Sequence, residues 1–111
     1  MAFQIAARPM QAPVIPIRDE RYKKFIRGEP CIVRCCRRPD VEFMHTGNRG
    51  ACKGRKACDL DGLPGCSYHH RTGPRPEAHH SCAEWEWEAF HGLDLAAERV
   101  RLRAKYLGLE L

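Results

Sequence analysis

The chain has 111 residues, a net charge of +5 and seven cysteines, a size that fits one small domain. No run of about 18 apolar residues occurs, which argues against a membrane span, and the N-terminal MAFQIAARPM lacks the apolar core and cleavage site of a secretory signal. The expectation is a cytoplasmic protein, where cysteines serve metal ions more often than disulfides, and an odd number of them does not suit a closed disulfide framework.

Taken in order, residues 1–18 carry Pro9, Pro13 and Pro16, a density that denies a helix and predicts an extended N-terminal arm. The folded domain is then expected over 19–111. Asp19 can cap a helix in DERYKKFIRG, with Tyr22, Phe25 and Ile26 on one face and Gly28 placed to end it. Pro30 to Val33 reads as a short strand entering a cysteine knuckle, and Val41 to His45 as a second strand. Residues 46–65, rich in Gly, Lys and Arg, read as a long loop or irregular hairpin. A helix can begin near His69 but must break at Gly73-Pro74-Arg75-Pro76. A fresh helix from Pro76 to about His91 would be stopped by Gly92. The last helix is expected over Leu93 to Leu107, capped by Asp94, with Leu95, Val100 and Leu102 as its apolar positions.

The chemistry lies in the cysteines and histidines. Cys31 with Cys35 or Cys36 forms one knuckle, and Cys66-Ser67-Tyr68-His69 forms a second about thirty residues later. Two such pairs are the layout of a tetrahedral structural zinc site, which a chain with a modest core would need as a staple. His45, His70, His79 and His80 exceed what one tetrahedral site requires and suggest a second site that does chemistry. A histidine on a strand and others on a following helix can converge on one divalent ion and one water. Basic residues cluster over Arg18–Arg27, Arg49–Lys56 and Arg99–Lys105, so Lys23, Lys24, Arg49, Lys53, Arg55 and Lys56 are candidate phosphate contacts.

Several of these runs resemble one known family. They are RYKKFIRG, the PC knuckle, the lone His45 before a Gly-containing loop, Lys56-Ala57-Cys58-Asp59, Leu63-Pro64-Gly65-Cys66-x-x-His69-His70, and the closing Phe90-His91-Gly92-Leu93-Asp94. Over roughly residues 19–107 the chain is similar to the HNH (His-Me finger) nucleases. More narrowly, it resembles the small phage and prophage members related to the RecA-dependent recombination-enhancement nuclease. The resemblance implies an α+β fold, a zinc-stapled ββα-metal core with flanking helices, acting as a metal-dependent DNA endonuclease. It implies Zn2+ as structural ion, Mg2+ or Mn2+ as catalytic ion, DNA as partner, and a RecA-type recombinase filament as a further candidate partner.

Carried over by position, His45 would be the general base and His70 a ligand of the catalytic ion. Asp59, or Asp61 nearby, would hold His45 or the ion's waters. The last helix histidine would fall at Pro74, so the insert RTGPRPEA passes that role to His79 or His80. Met44 stands where many of these proteins place a further ligand. The resemblance assigns no role to Cys52, Cys58 or Cys82. A zinc-stapled nucleic-acid-binding module without catalysis is the competing expectation.

Overall fold

The computed structural model describes residues 17–47 and 58–109. The expected arm therefore lies outside them, except for Ile17 and Arg18. The first helix, α1 (Glu20–Arg27), forms where the sequence places it. The Asp19 side chain accepts from the Tyr22 N–H at 3.0 Å, Glu20 sits in the first turn, and Lys24 and Arg27 sit in the last. This arrangement caps the free N–H groups and complements the helix dipole. Tyr22 and Ile26, one turn apart, are fully buried.

The strand expected over Pro30–Val33 does not form. That segment turns twice, and its ties are the Ile32 N–H to the Pro64 carbonyl (2.9 Å) and the Cys36 N–H to the Val33 carbonyl (3.1 Å). A straight strand would carry Cys36 away from Cys31. The observed turn brings it back, with Cys35 at φ 63° in the left-handed region that disfavours side chains.

The sheet has two antiparallel strands, β1 (Val41–Met44) and β2 (Leu63–Cys66), in the register Val41 to Cys66 through Met44 to Leu63. β2 falls in the stretch expected to be loop. Its sequence, LPGC, has poor strand propensity, but all four residues are buried and packing decides. Pro64 is tolerated because a two-stranded sheet leaves each strand an edge. Gly62 just before β2 admits the ring of Phe43: a Cβ there would meet Phe43 Cε1 at 2.0 Å.

After β2 comes a π-helical turn, Tyr68–Thr72, and then a 3₁₀ turn, His79–Ser81. Regular helix resumes only at α2 (Glu84–His91), eight residues later than the expected start at Pro76. Ala78 (φ −104°, ψ 139°) and Cys82 (φ −157°, ψ 177°) are both extended and isolate the two histidines between them. The Glu77 carbonyl, which a continuous helix would use, accepts instead from Trp87 Nε1 (2.9 Å) and His91 Nε2 (3.0 Å). Gly92 ends α2 in the left-handed region at φ 64°.

The final helix, α3 (Leu95–Leu107), is capped by Asp94, which accepts from the Ala97 N–H. Leu95 and Leu102 are buried, but Val100, the third apolar position expected on this helix, is 52% exposed. At 100° per residue it falls 160° from Leu102 on the helix surface, so one apolar stripe cannot hold both. The core gathers Tyr22, Ile26, Ile32, Met44, Leu63, Trp87, Leu95 and Leu102. It joins α1, the sheet, α2 and α3, and Tyr22 meets Tyr106 of α3 edge-on at 4.9 Å. The chain is thus a small α+β protein, and no helix among the described residues is long and apolar enough to cross a membrane.

Candidate metal centre and histidine cleft

Cys31, Cys36, Cys66 and His69 place one ligand atom each within 4.8 Å of one another. A tetrahedral ion with Zn–S near 2.3 Å and Zn–N near 2.0 Å sets S···S at about 3.8 Å and S···N at about 3.5 Å. The cluster has Cys36 Sγ to Cys66 Sγ at 3.8 Å, Cys66 Sγ to His69 Nδ1 at 3.3 Å, and Cys31 Sγ to His69 Nδ1 at 3.8 Å. The donors therefore fit: a Cys3His cluster that could hold a metal ion such as zinc.

Both knuckles carry backbone support. The Cys66 N–H donates to Cys31 Sγ and the His69 N–H to Cys66 Sγ, each at 3.4 Å. The choice left open between Cys35 and Cys36 falls to Cys36, while Cys35 is exposed. Burial pushes the Cys31 thiol up to about 12, and burial likewise keeps His69 below its ordinary value. A neutral imidazole is the form that ligates, and a cation would displace the thiol protons. Cys58 is disulfide-bonded, where the sequence favoured metal ions over disulfides for the cysteines, and Cys52 lies outside the described residues. Cys82 is a free, half-buried thiol.

The histidines take a different arrangement. His45 follows β1 with its ring edge-on to Phe43 at 4.8 Å, and its Nε2 lies 3.1 Å from Asp59 Oδ1. Asp59 opens a 3₁₀ turn (Asp59–Asp61), is 2% exposed, and accepts the Asp19 N–H on Oδ2 at 2.7 Å. Burial alone would raise its carboxyl, but the bonds from Asp19 and His45 outweigh that and hold it below the ordinary value. An ionised Asp59 makes Nε2 of His45 the donor, so that in the neutral ring Nδ1 carries the lone pair. Between the two expected partners of His45 the geometry selects Asp59, because Asp61 is engaged by Arg103.

Two other histidines repeat the pattern. His70 Nδ1 lies 2.8 Å from Glu42 Oε1, and His79 Nε2 lies 2.8 Å from Glu84 Oε1. The Arg71 hydrogen bond is the main cause holding Glu42 down at about 2, and burial keeps His70 and His80 below the ordinary histidine value. His79 Nδ1 is buried without a hydrogen-bond partner among the described residues.

A cleft of about 870 Å³ is lined by His45, His79, His80, Glu84, Trp85 and Arg99 among others. His70 lies behind its wall, its ring 4.6 Å from that of His80. His70 and the two alternatives expected to join it on one ion, His79 and His80, are thus neighbours. Among the described residues, however, only the Cys3His group brings three or more ligand atoms together. Glu84 was not foreseen. Its carboxylate also accepts the Gly47 N–H at 3.1 and 3.2 Å and lies 3.9 Å from Arg99. Only its place in the first turn of a helix near two histidines could have marked it.

Of the expected phosphate contacts, Lys23 is paired with Glu20 at 3.6 Å and lies over the Phe43 ring at 5.5 Å, while Lys24 is exposed. Arg49, Lys53, Arg55 and Lys56 lie outside the described residues. No family model, no curated protein and no solved structure matches the chain.

Proposed function

We propose that the protein is a metal-dependent endonuclease of the HNH type, hydrolysing DNA phosphodiester bonds on a ββα-metal core stapled by zinc. The observation that carries this reading is His45, held through Nε2 by the buried Asp59 and opening on a cleft with His79, His80 and Glu84. A carboxylate hydrogen-bonded to one ring nitrogen is how metal-ligating and proton-accepting histidines are oriented. Zinc at the Cys3His cluster would hold the two knuckles against the sheet and leave the cleft free.

A divalent ion suits the cleft because His79 presents a buried Nδ1 with no partner among the described residues, beside His80 and Glu84. When bound there, Mg2+ or Mn2+ would polarise the scissile phosphate and stabilise the leaving oxygen. The chain's own residues do the rest. Asp59 fixes the tautomer of His45, and Nδ1 accepts the proton of the attacking water. Arg99, itself fixed by a 2.9 Å bond to Thr46 Oγ1, holds positive charge at the cleft wall. DNA is the partner this chemistry serves, and a RecA-type filament would be an added partner outside the cleft.

The test is nicking of supercoiled plasmid with Mg2+ or Mn2+, alongside a His45→Ala control that retains zinc. Cleavage by the parent and none by the control supports the reading; equal cleavage by both removes it. A second reading, a zinc-stapled DNA-binding module without catalysis, is favoured by the lack of a converged ligand set in the cleft among the described residues. That reading would show as salt-dependent binding with no cleavage in either metal.

A further inference from the structure

The two tryptophans of the chain stand two residues apart on α2 and meet opposite fates. At about 100° per residue they point some 200° apart around the helix. Trp87 is fully buried, donates Nε1 to the Glu77 carbonyl, and packs its ring against His79 at 5.3 Å and His91 at 4.9 Å. Trp85 is 71% exposed and lines the cleft that His45 opens on. It has no ring partner among the described residues.

Single exposed apolar side chains are ordinary on protein surfaces. The position of this one is not. It follows Glu84 directly in the chain, and it shares the cleft with His45 and the fixed guanidinium of Arg99. A flat aromatic face beside a held cation is what one nucleotide asks for: a surface for the base and positive charge for the phosphate. Inside a duplex a base has both faces covered by its neighbours, so only an unpaired base can use such a face.

We propose that Trp85 is a stacking platform for an unpaired nucleobase, and that it makes the cleft prefer single-stranded over duplex nucleic acid. The proposal rests on the reading of the cleft as a phosphodiester site and adds its substrate class. Trp85 is a positioning residue here: it holds the nucleotide, and His45 acts on the water.

The experiment compares the full chain with Trp85→Ala and Trp85→Phe on a labelled single-stranded oligonucleotide and on its blunt duplex, with Mn2+ present. A parallel binding assay follows tryptophan emission of His45→Ala, and of His45→Ala/Trp85→Phe, as an oligothymidylate is added. Expected is faster cleavage of the single strand by the parent. Trp85→Ala should raise KM for that strand by ~5- to ~150-fold with kcat little changed, the range stacking on one base supplies. Trp85→Phe should restore most of the loss, duplex cleavage should not move, and the emission quench should vanish with Trp85.

If cleavage depends on His45 but Trp85→Ala keeps the parental KM on the single strand, or loses equally on the duplex, the platform is overturned and the nuclease reading stands. If the parent cuts nothing yet the Trp85-dependent quench is seen, the platform stands and the nuclease reading falls. Absence of both quench and cleavage overturns both.

Discussion

At the cysteine knuckles four donors converge within 4.8 Å, whereas in and behind the neighbouring cleft each of three histidines is held by its own carboxylate: His45 by Asp59 and His79 by Glu84 in the cleft, and His70 by Glu42 behind it. On the function proposed, the two regions solve different problems. A staple needs a closed tetrahedron, so its ligands point at one another and its backbone N–H groups turn in to support the sulfurs. A working site needs oriented donors that still have a lone pair to offer, and pairing one ring nitrogen with a carboxylate leaves the other available. Charge follows the same division. Arg71, Arg75, Arg101, Arg103 and Lys105 in the C-terminal half pair with acidic side chains at 3.0 Å or less, while Arg99 hydrogen-bonds Thr46 and stands 3.9 Å from Glu84. Arg21, Lys24, Arg27 and Arg34, by contrast, are exposed, and their side chains have no hydrogen bond or ion pair among the described residues.

The sharpest way to break the comparison is to empty the staple. Structural zinc contributes on the order of 10–16 kcal/mol in small zinc domains, as much as or more than a domain's whole stability of about 5–15 kcal/mol. Chelation, Cys66→Ser or Cys36→Ser should therefore unfold the protein, read by circular dichroism and by zinc content. Cys35→Ser should change neither, because Cys35 is exposed and outside the cluster. Zinc lost through Cys35 but kept through Cys36 would reverse the assignment.

Next in size is the cleft. His45→Ala should cost ~10²–10⁴-fold in cleavage with zinc content and melting temperature unchanged, since a general base supplies about that much. Asp59→Asn and Glu84→Gln remove a carboxylate behind a histidine and should each cost roughly 10- to 100-fold in activity or in response to Mn2+. A Glu84→Gln enzyme with the parental Mn2+ response would separate His79 from the ion. Both are measured by metal titration of the cleavage rate.

Salt should sharpen the charge contrast. Lys24→Gln and Arg34→Gln should each lower the slope of log affinity against log salt by up to about 0.9 for duplex DNA, and Lys105→Gln by much less.

The smallest effect concerns acid. Asp40 accepts from Ser67 and Arg38, and these bonds hold its carboxyl at about 2. A depressed folded-state value means the contribution is whole above about pH 4 and fades as pH falls toward 2. Asp40→Asn should flatten that part of the acid-unfolding curve, followed by circular dichroism between pH 5 and pH 2.

Local signals carried the parts of the fold with local causes. Asp19 and Asp94 announce helix starts because a side-chain oxygen three residues ahead of a free N–H needs no distant partner. Gly28 and Gly92 mark ends for the same reason. The C-x-x-H spacing of Cys66 and His69 is also local, so that half of the metal centre is legible in the chain alone. Tertiary structure decided what local chemistry leaves degenerate. Cys35 and Cys36 are adjacent thiols at nearly equal spacing from Cys31, and only the turn that carries φ 63° at Cys35 aims Cys36 at the cluster. LPGC becomes a strand because it is buried on every side, which its composition does not announce. The carboxylates behind the histidines come from positions 14, 28 and 5 residues away, pairings that have no period and exist only once the sheet and α2 are packed.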